Sequence, residues 1–164
     1  MNEINIQKKI KDVRYIAYDF DGVMTDNRVL VDQDGKEAVF VNRGDGYAIA
    51  RFKKMGIKQV IISTEKNPVV AARANKLGIT VLYGVDDKGS AMCDFCNREG
   101  ISADEVFYIG NDLNDMSAFR LAGIKGAPRD AEKEVLEIAD WISAKDGGRG
   151  VIRDLYETYR CNCN

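Results

Sequence analysis

The chain has 164 residues, enough for one compact domain with its own core, and we expect a single domain over 1–164. Hydrophobic residues (45%) and charged residues (30%) exclude a disordered chain, and a net charge of -2 gives no positive field for nucleic acid. No apolar run approaches the roughly 20 residues that span a bilayer, and the first twelve residues lack a signal-peptide core, so we expect a cytoplasmic protein without a membrane partner.

Histidine is absent, which excludes Ser-His-Asp and Cys-His catalysis and histidine metal ligands. Carboxylates, lysines and hydroxyls are left to carry any chemistry. The four cysteines, Cys93, Cys96, Cys161 and Cys163, are too few for a disulfide scaffold, and we expect them to be reduced. Cys93 and Cys96 have the spacing of a zinc site but share a helix face, so we interpret them as core residues.

Short β-rich runs alternate with amphipathic helical stretches along the chain. The predicted strands are 13–19, 60–63, 80–83, 106–110 and 141–143. The predicted helices are 46–55, 68–77, 88–98, 114–122, 131–138 and 151–159. This alternation predicts an α/β fold with a central parallel sheet covered on both faces and a site at the carboxyl ends of the strands.

Two segments interrupt the alternation. The β-branched runs 28–31 and 37–41 flank a turn in which Gly35 can take positive φ, which predicts a β-hairpin flap at about 27–42. The Gly-rich segment 145–150 predicts a mobile start to a C-terminal tail at about 145–160.

The strongest motif follows the first predicted strand directly. Asp19 and Asp21 are two residues apart, so in extended chain both side chains point the same way, and Gly22 lets the backbone turn sharply. Two such carboxylates repel each other unless a cation lies between them, and Mg²⁺ is the cation that suits oxygen ligands and an approaching phosphate. A solvated acidic turn is the alternative interpretation.

Two further strand ends can serve a phosphate. Ser63 and Thr64 close a strand with hydroxyls that can donate to phosphoryl oxygens, or they are simply helix N-caps. Lys88 begins a helix and can stabilise a phosphoryl group, although a lysine in that place is usually a solvated surface residue.

The fourth strand end is rich in carboxylates and amides. Asn111, Asp112 and Asp115 follow the predicted strand 106–110 and can complete a metal shell. Acidic N-caps explain this cluster about as well. The sequence therefore leaves both interpretations open.

The ordered set of Asp-x-Asp, Ser/Thr, Lys and Gly-Asn-Asp-x-x-Asp resembles the haloacid dehalogenase (HAD) superfamily of phosphohydrolases over nearly the whole chain. The resemblance implies a Rossmann-like three-layer fold, with the flap in place of a cap domain. It implies that Asp19 is the nucleophile and Asp21 the general acid/base. The implied phosphate contacts are Ser63, Thr64 and Lys88.

The same resemblance implies a Mg²⁺ cofactor held by Asp19, the Asp21 carbonyl and the last motif. The superfamily commonly has Asp where this chain has Asn111. The third ligand therefore stays open among Asn111, Asp112 and Asp115, and weaker Mg²⁺ binding is one consequence.

The flap, 42–47 and 147–153 are similar to the KDO 8-phosphate phosphatases, to their sialate and KDN 9-phosphate relatives, and to the C-terminal domain of some acylneuraminate cytidylyltransferases. This implies a phosphorylated 2-keto-3-deoxy sugar acid as substrate, and homotetramers in which the Gly-rich tail approaches a neighbour's site. The implied substrate contacts are Arg43, Asp45, Glu65, Lys66 and Arg149. Arg149 suits the substrate carboxylate, because guanidinium pairs with carboxylate through two hydrogen bonds, or it is a surface residue in a loop.

Octulosonate enzymes typically carry Gly-Arg where this chain has Thr64-Glu65, and Glu resembles the nine-carbon members. A nonulosonate 9-phosphate is therefore slightly favoured over an octulosonate 8-phosphate. Alternatively, Glu65 only favours the N-terminus of the next helix.

Two other function classes stay open. A signalling receiver also uses a phosphorylated Asp, but its phosphoacceptor normally ends the third strand, whereas these acids end the first. A catalytically weak or inactive HAD domain that serves as an oligomerisation module is the alternative that Asn111 indicates.

Overall fold

The computed structural model describes residues 10 and 12–162. Its strands are β1 Tyr15–Tyr18, β2 Leu30–Val31, β3 Glu37–Ala38, β4 Lys58–Ser63, β5 Thr80–Tyr83, β6 Val106–Ile109, β7 Ile124–Ala127 and β8 Trp141–Ile142. Its α-helices are α1 Arg43–Lys54, α2 Val69–Leu77, α3 Lys88–Glu99, α4 Met116–Phe119, α5 Lys133–Ile138 and α6 Val151–Asn162, with 3-10 turns at Ala103–Glu105 and Leu113–Asp115. No helix in this part of the chain is both long and apolar enough to cross a membrane.

The central sheet is parallel, in the order β5-β4-β1-β6-β7-β8. Tyr18, the last residue of β1, pairs with Ile61 of β4 on one side and with Ile109 of β6 on the other. The carboxyl ends of these three strands are therefore neighbours. The flap strands β2 and β3 form a separate antiparallel pair, as predicted.

Helices cover both faces of the sheet, because every residue of β1 is buried and successive side chains point to opposite faces. Ile16 and Tyr18 belong to the core under α1, α2 and α6, and Tyr15 and Ala17 to the core under α3, α4 and α5. Full burial of one large apolar side chain contributes about 1.5–3 kcal/mol. This three-layer α/β architecture confirms the predicted fold class.

Strand β7 is absent from the sequence-based prediction. Its sequence, Ile-Lys-Gly-Ala, has one β-branched residue and a glycine, which is a weak strand signal. A Cβ at Gly126 would lie 2.5 Å from Cε1 of Phe107, so the small residue is required by packing against β6. The helix predicted for 114–122 is also shorter than expected, a 3-10 turn followed by the four-residue α4.

The Gly-rich segment 145–150 is fastened to the body of the protein. The Gly147 N–H donates to Asp130 Oδ1 at 2.8 Å, and the Gly148 N–H donates to the Val23 carbonyl oxygen at 3.0 Å. The mobility predicted for this segment does not agree with these hydrogen bonds. They place the segment directly against the loop that follows β1.

Candidate active site

Asp19 and Asp21 lie where β1 ends. The Asp19 N–H donates to the Ile109 carbonyl oxygen at 2.8 Å, which extends the pairing with β6 by one residue. The chain then turns at Gly22, whose φ is +79° and where a Cβ would lie 2.1 Å from Asn111 Nδ2. Only glycine allows the backbone at position 22 to lie so close to the Asn111 side chain. This close contact places Asn111, from the loop after β6, beside the two carboxylates.

Lys88 is fixed by the first turn of α3, where the N-cap Asp87 accepts the Ser90 N–H at 2.7 Å. Its Nζ lies 2.8 Å from Asp19 Oδ1 and 2.7 Å from Asp115 Oδ1, and its side chain is 1% exposed. Burial alone would lower the pKa of the Lys88 ammonium, but the two carboxylates outweigh burial and raise it. Lys88 is therefore a permanent positive charge next to Asp19, and not the solvated surface residue that the sequence also allowed.

Asp115 is completely buried and engages both of its carboxylate oxygens. Oδ1 accepts from Lys88 Nζ and from the Tyr108 hydroxyl, each at 2.7 Å. Oδ2 accepts from the backbone N–H groups of Asn111 at 2.8 Å and Asp112 at 3.1 Å. With both oxygens occupied, Asp115 orders the loop after β6 and positions Lys88, and it has no free oxygen for the metal-ligand role predicted from the sequence.

The two carboxylates after β1 have perturbed acidity. Burial raises the pKa of Asp19, the charge of Asp115 raises it further, and Lys88 opposes both effects. Burial also raises the pKa of Asp21, which the hydrogen bond from the Thr25 hydroxyl opposes. An additional positive charge beside these two carboxyl groups would stabilise their ionised forms.

Three oxygens converge between the loops after β1 and β6. One end of the Asn111 side-chain amide lies 3.2 Å from Asp19 Oδ2 and 2.8 Å from the Asp21 carbonyl oxygen. Neighbouring ligands of an octahedral Mg²⁺, at 2.0–2.1 Å from the ion, are about 2.9 Å apart. With the amide oxygen at that end, these spacings fit a divalent cation held by Asp19, the Asp21 carbonyl and Asn111.

This donor set contains a single carboxylate. In the described part of the chain, no three acidic or cysteine side chains gather as a metal site. Asp112, the other candidate ligand, is half-buried and caps the next turn by accepting the Leu113 N–H through Oδ1 at 2.6 Å. The N-cap interpretation of Asp112 is therefore met in the structure.

Ser63 ends β4 and so lies next to the end of β1. Its side chain is buried, and its Oγ accepts the Glu65 N–H at 3.1 Å. The hydroxyl keeps its own proton to donate to a phosphoryl oxygen. Thr64 is half-buried and follows directly, so both predicted phosphate contacts lie at the same edge of the sheet as Asp19.

A cavity of about 260 Å³ opens beside Asp21. The flap contributes Arg28 and Glu37 to its wall, and Glu65 contributes from the loop after β4. Larger cavities of about 490 and 520 Å³ lie at the amino ends of the strands and between β5 and α3, away from these carboxylates. The Asp21 cavity joins one catalytic candidate, Asp21, to polar groups suited to a polyhydroxylated molecule.

Glu65 has the backbone-capping role that the sequence allowed, and its predicted substrate contact stays a prediction. Its Oε1 accepts the N–H groups of Lys66 and Asn67, each at 2.7 Å, just before α2. The same carboxylate lines the cavity beside Asp21. A side chain fixed by two backbone groups is held in one orientation toward whatever occupies that cavity.

Arg149 lines a second cavity, of about 360 Å³, at the base of the flap. Arg28 lines both cavities, and its guanidinium donates twice to Asp26 Oδ2, at 3.1 and 2.6 Å. Arg149 is exposed and is carried by the fastened Gly-rich segment of the same chain. The structure thus places Arg149 next to the Asp21 cavity but not in its wall.

Asp45 lies in the interior, where the sequence predicted a substrate contact. It is 2% exposed, and its Oδ1 accepts the Arg153 N–H at 2.9 Å, at the start of α6. Burial raises the pKa of Asp45 to about 6, while hydrogen bonds from the backbone of Arg153 and Ile152 oppose this. Because its carboxylate is used to join α1 to α6, a substrate contact by Asp45 finds no support in the geometry.

The remaining predicted contacts, Arg43 and Lys66, are exposed and line neither cavity beside the flap. Sequence reasoning missed Arg28, Glu37 and Tyr108 as site residues. The first two belong to the predicted flap, but their position over Asp21 follows only from the fold.

The three cysteines that the structure describes take no part in this site. Cys93, Cys96 and Cys161 are free, and only Cys96 among them is buried. Cys163, the fourth cysteine, lies outside the described residues. The predicted core role therefore applies to Cys96 and not to the exposed Cys93.

Comparison with known proteins gives consistent matches. Residues 67–155 match the model of the haloacid dehalogenase-like hydrolase family. The chain is 32% identical over 152 residues to the 3-deoxy-D-manno-octulosonate 8-phosphate phosphatase KdsC of Escherichia coli strain B / BL21-DE3, covering 92% of this chain and 81% of that protein.

Solved structures agree with this match. A Moraxella catarrhalis 3-deoxy-D-manno-octulosonate 8-phosphate phosphatase, solved with magnesium, phosphate and KDO, superposes with a TM-score of 0.94 at 30% identity, over 98% of this chain and 93% of that chain. A Streptomyces avermitilis protein described as a HAD family hydrolase gives a TM-score of 0.88 at 45% identity, over 90% and 85% of the two chains.

Proposed function

Since this chain belongs to the haloacid dehalogenase-like hydrolases and is a phosphatase, we propose that it hydrolyses the phosphate ester of a 2-keto-3-deoxy sugar acid with Mg²⁺ as cofactor. The observation that carries the proposal is the meeting of Asp19, Asp21, Lys88 and Asn111 at one sheet edge, beside a polar cavity. The names of the relatives support the same substrate class.

Asp19, the Asp21 carbonyl and Asn111 would hold the Mg²⁺. The fit of the three oxygen positions supports this assignment, as does the magnesium ion of the Moraxella relative. When bound, the ion neutralises part of the phosphate charge and lets an anionic substrate approach two carboxylates.

The chain's own residues supply the rest of the chemistry. A carboxylate oxygen of Asp19 attacks phosphorus, the bond from phosphorus to the sugar oxygen breaks, and protonated Asp21 gives its proton to that oxygen. Asp21 then takes a proton from water, which attacks phosphorus and releases phosphate and free Asp19. Lys88 and the Ser63 hydroxyl stabilise the phosphoryl charge throughout, and Lys88 keeps its proton.

Two substrates of this class are candidates. The relatives named as octulosonate 8-phosphate phosphatases support the eight-carbon compound, KDO 8-phosphate. The Thr64-Glu65 pair, with Glu65 held in the cavity wall, supports a nine-carbon compound such as KDN or N-acetylneuraminate 9-phosphate, because a carboxylate accepts hydrogen bonds from sugar hydroxyls. Arg149 is the candidate contact for the sugar carboxylate.

A homotetramer and a cytoplasmic location are part of this proposal. Flap residues Val29, Leu30, Val31 and Phe40 are 50–76% exposed, and a surface of this kind commonly becomes an interface. The free thiols of the three described cysteines suit a reducing compartment.

The test is phosphate release from KDO 8-phosphate, KDN 9-phosphate and N-acetylneuraminate 9-phosphate, with Mg²⁺ and after its removal. Asp19→Asn is the blank, and Asp94→Asn, an exposed change on α3, is the matched control. We expect Mg²⁺-dependent release that Asp19→Asn abolishes and Asp94→Asn preserves. Release from none of the three by an intact tetramer would instead support the oligomerisation module.

A further inference from the structure

The backbone of Asn111 is held by hydrogen bonds on both sides, and its side-chain amide fits the same space in two orientations. Its N–H donates to Asp115 Oδ2 at 2.8 Å, and its carbonyl oxygen accepts the Glu132 N–H at 2.9 Å. Gly22 packs so closely that a Cβ there would lie 2.4 Å from Asn111 Cγ. Asn111 is 8% exposed. Its two possible orientations differ by a half-turn of the side-chain amide, which exchanges Oδ1 and Nδ2.

The surroundings favour one orientation when no cation is bound. One end of the amide faces acceptors only, Asp19 Oδ2 at 3.2 Å and the Asp21 carbonyl oxygen at 2.8 Å, while the other end faces donors. With Nδ2 at the first end, the amide donates to both oxygens, and the mismatch at the other end is also removed. With Oδ1 there, three oxygens meet and need a cation between them.

We propose that the Asn111 amide competes with the metal: it closes the site by donating to Asp19 and to the Asp21 carbonyl, and it turns its oxygen inward when Mg²⁺ enters. This inference rests on the divalent-cation site of the proposed function. Mg²⁺ binding must break two hydrogen bonds and gains a neutral ligand, so it is weak and readily reversed. The metal-free protein, with its oxygens satisfied, keeps its stability.

Aspartate at position 111 is the replacement that tests this proposal. A carboxylate has nearly the same shape as the amide but only acceptor oxygens, so it cannot close the metal-free site. It also offers the cation a charged ligand. Asn111→Asp should therefore bind Mg²⁺ more tightly than wild type, and its metal-free form should be less stable than metal-free wild type.

The test is calorimetric Mg²⁺ titration and thermal unfolding of the metal-free full chain, as wild type, Asn111→Asp and Asn114→Asp. Asn114 is exposed, and its Oδ1 lies 3.4 Å from Lys88 Nζ, so Asn114→Asp adds the same charge nearby but outside the three oxygens. We expect Asn111→Asp to bind Mg²⁺ at least about tenfold more tightly than wild type. Without Mg²⁺, we expect its Tm to be about 5 °C lower than that of wild type, with the difference closing when Mg²⁺ is added.

Equal Mg²⁺ affinity in wild type and Asn111→Asp, or an equal gain in Asn114→Asp, would overturn the inference. If Asn111→Asp does not fold, NMR of the wild type decides. The Asn111 side-chain N–H pair should be protected from exchange without Mg²⁺ and should shift on its addition, and an unprotected pair overturns the inference. None of these measurements uses phosphate release, so an inactive wild type would refute the proposed function while leaving this result standing.

Discussion

The Lys88 ammonium pairs with two buried carboxylates of this site at once. It is almost completely buried and lies within 2.8 Å of carboxylate oxygens of both Asp19 and Asp115. Removing the cation that these two buried carboxylates share would destabilise the folded protein, because an unpaired charge in the interior is costly. Lys88 is therefore predicted to matter for folding as well as for catalysis.

We predict that Lys88→Met lowers the free energy of unfolding by about 3–5 kcal/mol, because it leaves Asp19 and Asp115 without their cation. It should also abolish phosphate release. Urea unfolding at neutral pH measures the first effect. Lys66→Met, which removes an exposed lysine, is the matched control and should stay within about 0.5 kcal/mol of wild type. Equal stability of the two variants would contradict the structural role of Lys88.

Glu65 gives a second prediction at the scale of one residue, and it rests on the proposed substrate class. Glu65→Gln keeps an acceptor for the N–H groups of Lys66 and Asn67 but removes the charge from the cavity wall. A hydrogen bond to a charged group contributes about 1.5–3 kcal/mol, so kcat/KM for the preferred nine-carbon substrate should fall about tenfold or more. A parallel assay with KDO 8-phosphate is the comparison, and an equal loss for both compounds would rule out Glu65 as the residue that selects chain length.

At the scale of elements, Asp45 joins α1 to the start of α6 and so holds the Gly-rich segment that precedes α6 against the loop after β1. Its pKa is raised to about 6 by burial, against about 3.9 in an unfolded chain. The folded state therefore binds the proton more tightly, and Asp45's contribution to stability falls as pH rises from about 4 to about 6 and is constant above that.

We predict that Asp45→Asn, which can still accept the Arg153 N–H, is more stable than wild type by about 3 kcal/mol at pH 8. The difference should shrink to about 0.5 kcal/mol near pH 4, where Asp45 is protonated in the folded state and about half protonated in the unfolded chain. Urea unfolding between pH 4 and pH 8 measures the difference. Asp45→Ala, which loses the acceptor, should be destabilised at both ends of the range, and the same behaviour from Asp45→Asn would show that the charge is needed.

At the scale of the whole molecule, the flap is a two-stranded ribbon that lies outside the central sheet. Its strands have two residues each and, within the described residues, pair only with each other, and Leu30 and Phe40 are 63% and 76% exposed. An isolated two-stranded hairpin is marginal in water. Contact with other copies of the chain would bury this surface.

We predict that Leu30→Ser combined with Phe40→Ser converts the proposed tetramer to smaller species without lowering the stability of the α/β body. Light scattering after gel filtration gives the mass, and thermal unfolding reports on the body. Ile142→Ser, a comparable change at a residue 49% exposed on edge strand β8, is the control and should leave the assembly unchanged. A double variant with the mass of the wild type would place the interface elsewhere.

Strands with strong local signals, and the residues at their ends, could be predicted from the amino-acid sequence alone. Strand β1 was predicted because a continuous apolar run leads into Asp19, and parallel strands bring such ends to one edge whatever their spacing along the chain. The fold class, the flap and the positions of Asp19, Asp21, Ser63 and Lys88 follow from patterns of this local kind.

Features that depend on neighbours distant in sequence could not be predicted in this way and are seen only in the folded chain. Strand β7 exists because Gly126 fits against Phe107, which no local pattern shows. Asp45 and Asp115 read as exposed acids with chemical roles, yet folding buries both of them. Asp45 Oδ1 accepts a backbone N–H at the start of α6, and Asp115 Oδ2 accepts backbone N–H groups of the loop after β6. A carboxylate's role depends on which groups surround it, and those groups come together only when the chain has folded.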